Sequence, residues 1–99
     1  MSARCPRETR LAKSQAERAD ELIRATGSQR AHMLAQQVYA HAHAALSAIR
    51  EGKMCVDVRA DYLEASGPRL RTAARLSKSG DQDRAREKRR DQRRRQRWK

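Results

Sequence analysis

The chain has 99 residues, of which 24 are Lys or Arg and 12 are Asp or Glu, so its net charge is +12 at pH 7. It contains one Trp, two Tyr and no Phe, which limits it to one small domain whose core is marginal for a monomer. No apolar window approaches a membrane span or a signal peptide. These features exclude a membrane protein and predict a cytoplasmic one.

The first predicted helix covers about residues 6–26. Pro6 suits a first helical turn, and apolar side chains then recur on one face until Gly27. The apolar positions of this face are Leu11, Ala12, Ala16, Ala19, Leu22 and Ile23.

The second predicted helix covers about residues 29–51, with Ser28 as its N-cap and Gly52 beyond its end. Its apolar stripe is rich in Ala, which favours close antiparallel packing against the first helix or against a second copy of the chain. We therefore expect a homodimer through the first two helices. The stripe consists of Ala31, Leu34, Val38, Ala42, Ala45, Leu46 and Ile49.

Residues 53–58 alternate weakly between apolar and polar side chains, and a connector is favoured there over a strand. Asp57 is a candidate cap for a short helix that ends at Ser66, Gly67 and Pro68. Another helix then begins at Pro68, with Leu70, Ala73 and Leu76 facing inward and Ser77 as a further candidate. The predicted fold is all-α: a small helical hairpin or bundle over residues 1–80, in which two longer helices precede one or two short ones.

Residues 81–99 are predicted to form a basic, partly helical C-terminal arm. From residue 84 onward the arm has ten basic and two acidic residues, and eight of the ten are Arg. Arg pairs bidentately with phosphate and stacks on bases, and Trp98 is a possible stacking platform. The arm therefore predicts binding to nucleic acid, although a tail that only improves solubility is the alternative.

The segment 56–79 is a second candidate device, because a short helix, a Gly-containing turn and another helix resemble the order in a helix-turn-helix. Arg71, Arg75 and Lys78 would share the outer face of its second helix, with Arg69 near the start. Such a face could read bases or only contact phosphates. The predicted nucleic-acid-binding residues are Arg69, Arg71, Arg75, Lys78, Arg84, Arg86, Lys88, Arg89, Arg90, Arg93, Arg94, Arg95, Arg97, Trp98 and Lys99.

No residue set indicates an enzyme, a cofactor or a metal. His41 and His43 are two residues apart and lie about 200° apart around a helix, so they cannot coordinate one metal ion together. Cys5 and Cys55 are fifty residues apart and lack neighbouring ligands, which favours two reduced thiols over a disulfide or a zinc site.

The preferred functional prediction is a small basic nucleic-acid-binding protein with a regulatory or architectural role. The alternative is a helical adaptor or inhibitor that docks on an acidic surface of a larger protein, with Tyr39 and His43 as contacts beside the apolar stripe. Whether the nucleic acid is DNA or RNA stays open.

Overall fold

Three helices make up residues 4–78, the part of the chain that the computed structural model describes. Helix α1 spans Pro6–Ala25 and α2 spans Gln29–Arg50. Helix α3 covers residues 55–78 and is bent, and the range 4–78 contains no β-strand. The all-α prediction is confirmed, and both long helices agree with their predicted limits to within about a residue.

Helix α1 begins at Pro6, where the missing N–H of proline costs no hydrogen bond. Its N-cap residue, Cys5, is in the left-handed conformation with φ of 52°, and its carbonyl accepts from the Thr9 N–H. The helix ends when Thr26 becomes extended. Gly27 therefore lies in the short loop to α2.

Both ends of α2 are capped by the residues that the sequence indicates. The Ser28 hydroxyl accepts a hydrogen bond from the Ala31 N–H, at 3.2 Å. At the other end Gly52 has a φ of 95°, which glycine adopts without a Cβ penalty. The Gly52 N–H donates to Ile49 and the Lys53 N–H donates to Ala48, the pattern of a Schellman motif.

Helix α3 differs from the prediction of two short helices separated by a turn. It begins at Cys55, so Asp57 lies in its first turn and is not a cap. Residues Arg59–Leu63 are π-helical, and the chain is α-helical again over 66–78. Pro68 falls in the first turn of that last part, where a missing N–H is tolerated. The predicted break therefore appears as a bend within one helix.

The core consists of two adjoining clusters between the three helices. One contains Ala12 of α1, Ala45 and Ala48 of α2, and Val58 and Leu63 of α3. The other is nearer the α1–α2 loop. It contains Ala19, Ala35, Val38 and Leu70. As α1 advances from Ala12 to Ala19, its partners on α2 move from Ala45 to Ala35, so these two helices are antiparallel and α3 packs along both.

Candidate nucleic-acid interface

The last part of α3 has one buried side and one basic side. Leu70, Ala73 and Ser77 are buried, whereas Leu76 is half-buried. Arg71, Arg75 and Lys78 are exposed. Steps of four and three residues place these three cations on one helical face. We call Arg71, Arg75 and Lys78 the basic face.

The basic face is free of ion pairs within residues 4–78. The two salt bridges found in this range join Arg24 to Asp20 and Lys53 to Asp61. Within the described part of the chain, therefore, no acidic side chain is paired with the three cations of the basic face.

Arg69 belongs to another side of α3. It is half-buried, and its Nη1 lies 3.2 Å from Nε2 of His41 on α2. A guanidinium only donates, so this contact requires His41 to accept through an unprotonated Nε2. Two residues correspond to about 200° of rotation, which separates Arg69 from Arg71. The structure thus brings three of the four predicted cations of α3 together and places the fourth apart.

A groove of about 340 Å³ lies between α1 and α3, beside the basic face. Leu22, Ala25, Leu70 and Ala74 contribute apolar lining, and Arg18 and Glu21 contribute charges of opposite sign. An elongated anion bound to the basic face would therefore lie alongside this groove.

The helix-turn-helix prediction for residues 56–79 is wrong within the described part of the chain. No loop separates two helices there, because the π-helical segment Arg59–Leu63 leads into the α-helix over 66–78 with two turn residues between. The Ser66 hydroxyl donates to the Tyr62 carbonyl at 2.7 Å, which supplies a hydrogen bond at the bend. A basic face for phosphates is compatible with this geometry, but a recognition helix set at an angle to a preceding helix is not.

The predicted arm contacts, from Arg84 to Lys99 and including Trp98, lie outside the described residues. The predicted division into a domain of residues 1–80 and an arm of residues 81–99 stays a prediction for the same reason.

A polar cluster joins the connection between α2 and α3 to the π-helical segment of α3. The Lys53 ammonium donates to the Asp61 carboxylate at 2.6 Å and lies 5.2 Å from the centre of the Tyr62 ring. The hydrogen bond to Asp61 raises the pKa of Lys53 above its ordinary value. Lys53 is thus paired with an acid and differs from the cations of the basic face.

The cysteines are joined, which corrects the prediction of two reduced thiols. A disulfide links Cys5 and Cys55, whose Cα atoms are 5.5 Å apart. The antiparallel hairpin brings the beginning of α1 to the end of α2, where α3 begins, and so closes the fifty-residue separation. Glu8 lies beside the pair. In the sequence, only the three-residue spacing of Cys5 and Glu8 indicates this group. The spacing becomes informative when the pairing of the helices brings Cys55 beside them.

The ring of His43 packs at a tilt against that of Tyr39, with the two ring centres 4.4 Å apart. His43 is exposed and Tyr39 is 38% exposed, so both are on the outer side of α2. His41 instead faces Arg69 and Tyr62. His41 and His43 thus have separate surroundings, as their spacing predicts.

Comparison of the chain with protein-family models, with curated proteins and with solved structures gives no match. Within residues 4–78, the helices fall short of the length and apolar character that crossing a bilayer requires. Over residues 4–78 the fold is a small bundle of three helices, with the basic face on the exposed side of α3.

Proposed function

We propose that this protein binds nucleic acid, mainly through its phosphates, in a regulatory or architectural role. The basic face would contact phosphates together with the Arg-rich residues 84–99 that follow it. The observation that carries the proposal is the exposure of Arg71, Arg75 and Lys78 on one side of a helix whose other side is buried.

Charge distribution supports this proposal. Residues 57–99 hold fifteen basic and seven acidic residues, so most of the excess positive charge lies in α3 and beyond. A one-sided basic field of this kind attracts polyanions and speeds their association. Arg69 would contribute less than the basic face because it is held against His41.

A homodimer is part of the proposal, and the structure bears on which surface would form it. Ala35, Ala42 and Ala45 are buried within one chain, so the seam that suggested a dimer is already occupied. The outer side of α2 is a better surface, because residues 31–49 contain no Asp, Glu, Lys or Arg and Met33 and Tyr39 are exposed. Two chains of charge +12 would meet with least repulsion there.

Sedimentation of Ala40→Glu, with Ser14→Glu on α1 as control, tests this surface, and an unchanged dimer in Ala40→Glu would exclude it.

A cytoplasmic location is also proposed, since nucleic acid is accessible there. Cytoplasmic thiols would tend to reduce the Cys5–Cys55 bond. In that compartment the protein would therefore exist partly as a dithiol.

Truncation after Gly80 tests the proposal directly. Removal of residues 81–99 takes away ten basic residues and should abolish most of the affinity for duplex DNA and single-stranded RNA. A mobility-shift titration measures this, and full affinity in the truncated chain would contradict the role of the arm.

A second function, an adaptor that docks on an acidic protein surface, is favoured by the exposed Tyr39–His43 pair on α2. Capture experiments with and without nuclease separate the two functions. Partners bridged by nucleic acid disappear after nuclease treatment, whereas a directly bound acidic protein stays.

A further inference from the structure

Three metal-ligating side chains meet at the end of the bundle where α1 and α3 both begin. The sulfur atoms of Cys5 and Cys55 and a carboxylate oxygen of Glu8 all lie within 4.8 Å of one another. Within residues 4–78 this is the one group of three His, Cys, Asp or Glu side chains so close together. Two sulfurs and one oxygen on neighbouring helices are a donor set that zinc accepts.

Contacts other than the disulfide hold these groups in place. The Arg4 guanidinium donates to the Gly52 carbonyl at 2.8 Å and so ties the residue before Cys5 to the α2–α3 connection. Ala12 is buried against Ala45 and Ala48 nearby. Cys5 itself is 4% exposed. Reduction of the disulfide would therefore leave both thiols and Glu8 close together.

We propose that the reduced protein binds Zn²⁺ through Cys5, Glu8 and Cys55. A small-molecule thiol supplies the reduction: two of its molecules form one disulfide, and the Cys5–Cys55 bond takes up two electrons and two protons. Zn²⁺ then replaces the two thiol protons, which pass to solvent. The Glu8 carboxylate is the third ligand and a water is the fourth.

The surroundings suit this ligand set in size and charge. Two thiolates and a carboxylate around Zn²⁺ leave one negative charge, and Arg7 and Arg59 line a groove of about 170 Å³ with Glu8. The groove gives a water access to the Glu8 side. Zinc–sulfur bonds of about 2.3 Å in tetrahedral geometry put the two sulfurs roughly 3.8 Å apart, so the thiols must separate. Cys55 is only half-buried and follows the four-residue connection between α2 and α3, so it has room to move.

The zinc-bound state and the disulfide state exclude each other, because a sulfur in the disulfide is not available as a thiolate ligand for Zn²⁺. Zinc occupancy would thus report whether the two cysteines are reduced or oxidised. This inference does not depend on nucleic-acid binding, and its test contains no nucleic acid.

The test uses the full chain without an affinity tag, reduced with a water-soluble phosphine, and Zn²⁺ in competition with a chromophoric chelator. We expect one Zn²⁺ per reduced chain and none held by the oxidised chain. Co²⁺ in place of Zn²⁺ should give the intense visible bands of tetrahedral thiolate coordination. A reduced chain that competes for Zn²⁺ no better than the oxidised chain would overturn the proposal.

Glu8→Gln tests the third ligand, with Glu17→Gln, an exposed acid on the same helix, as the matched control. Glu8→Gln should weaken Zn²⁺ binding at least about tenfold, which is the loss that even outer-shell partners produce. Equal affinity in both variants would remove Glu8 from the site. If reduction alone lowers the helical circular dichroism, Zn²⁺ should restore it, and failure to restore it would also overturn the proposal.

Discussion

The Ser28 side chain caps the start of α2 with one hydrogen bond, and the Ser28 N–H donates to the Thr26 hydroxyl at 3.1 Å in the three-residue connection to α1. Its hydroxyl accepts from the Ala31 N–H, which otherwise has no partner within the helix. The backbone of Ser28 is extended, as an N-cap requires. The Ser28 side chain therefore stabilises the first turn of α2.

Replacement of Ser28 by Ala should lower the free energy of unfolding by about 1 kcal/mol. Ser14→Ala is the control, because Ser14 is an exposed residue in the middle of α1 and Ala favours helix. Urea unfolding followed by circular dichroism measures both variants. Equal stability of the two would show that the cap hydrogen bond adds nothing.

Local residue chemistry also explains how far the sequence predicts structure. Pro6, Ser28 and Gly52 act through the backbone next to them, so the ends of α1 and α2 could be predicted. The Cys5–Cys55 bond could not, because it depends on the pairing of helices fifty residues apart. Sequence proximity groups Arg69 with the basic face, but its partner, His41, is on another helix.

At the scale of elements, α1 and α2 approach closely because Ala occupies the seam between them. Ala12, Ala19, Ala35 and Ala42 are completely buried. Small side chains let two backbones come close and leave no space for larger ones. The seam consequently gives shape specificity although it buries little apolar area.

Ala35→Leu should therefore destabilise the protein by about 1–3 kcal/mol through overpacking. Ser14→Leu, on the exposed side of α1 and outside the proposed dimer surface, is the control and should be nearly neutral. Thermal unfolding of both variants checks the expectation. A Leu at position 35 that raised stability would mean that the helices are further apart than the structure has them.

Helix α3 shows why the sequence predicts a stronger break at Ser66–Pro68 than the structure contains. Ser, Gly and Pro in succession usually end a helix. Here the π-helical turn changes the hydrogen-bond register before Pro68, and burial of Leu63 and Leu70 on either side keeps both parts against the same two helices. Tertiary packing outweighs the local breaking signals, and the sequence alone does not display that packing.

For the whole molecule, the disulfide compensates for a core with few large side chains. Val38, Val58, Leu63 and Leu70 are the largest fully buried apolar residues. A cross-link between residues fifty apart removes chain entropy from the unfolded state. The bond thus matters more here than in a domain with a larger core.

Reduction of the Cys5–Cys55 bond in metal-free buffer should lower the free energy of unfolding by about 4 kcal/mol, the chain-entropy expectation for a loop of this size. Urea unfolding with and without a phosphine reductant measures the change. The double variant Cys5→Ser/Cys55→Ser is the control and should not respond to the reductant. An oxidised protein no more stable than the reduced one would contradict a stabilising role for the bond.

The central claim is that the basic face of α3 contacts phosphates. The most direct test measures how the affinity for a short duplex DNA depends on salt concentration. It compares the full chain with two triple variants. One is Arg71→Gln/Arg75→Gln/Lys78→Gln on α3, and the other is Arg7→Gln/Arg10→Gln/Lys13→Gln on α1. All six side chains are exposed, and each triple variant removes three positive charges. We predict that the α3 variant flattens the slope of log affinity against log salt by about 0.9 per contact, roughly 2 to 3 in all, while the α1 variant changes it little. Equal slopes in the two variants would contradict the claim, because charge would then act without regard to its place on the fold.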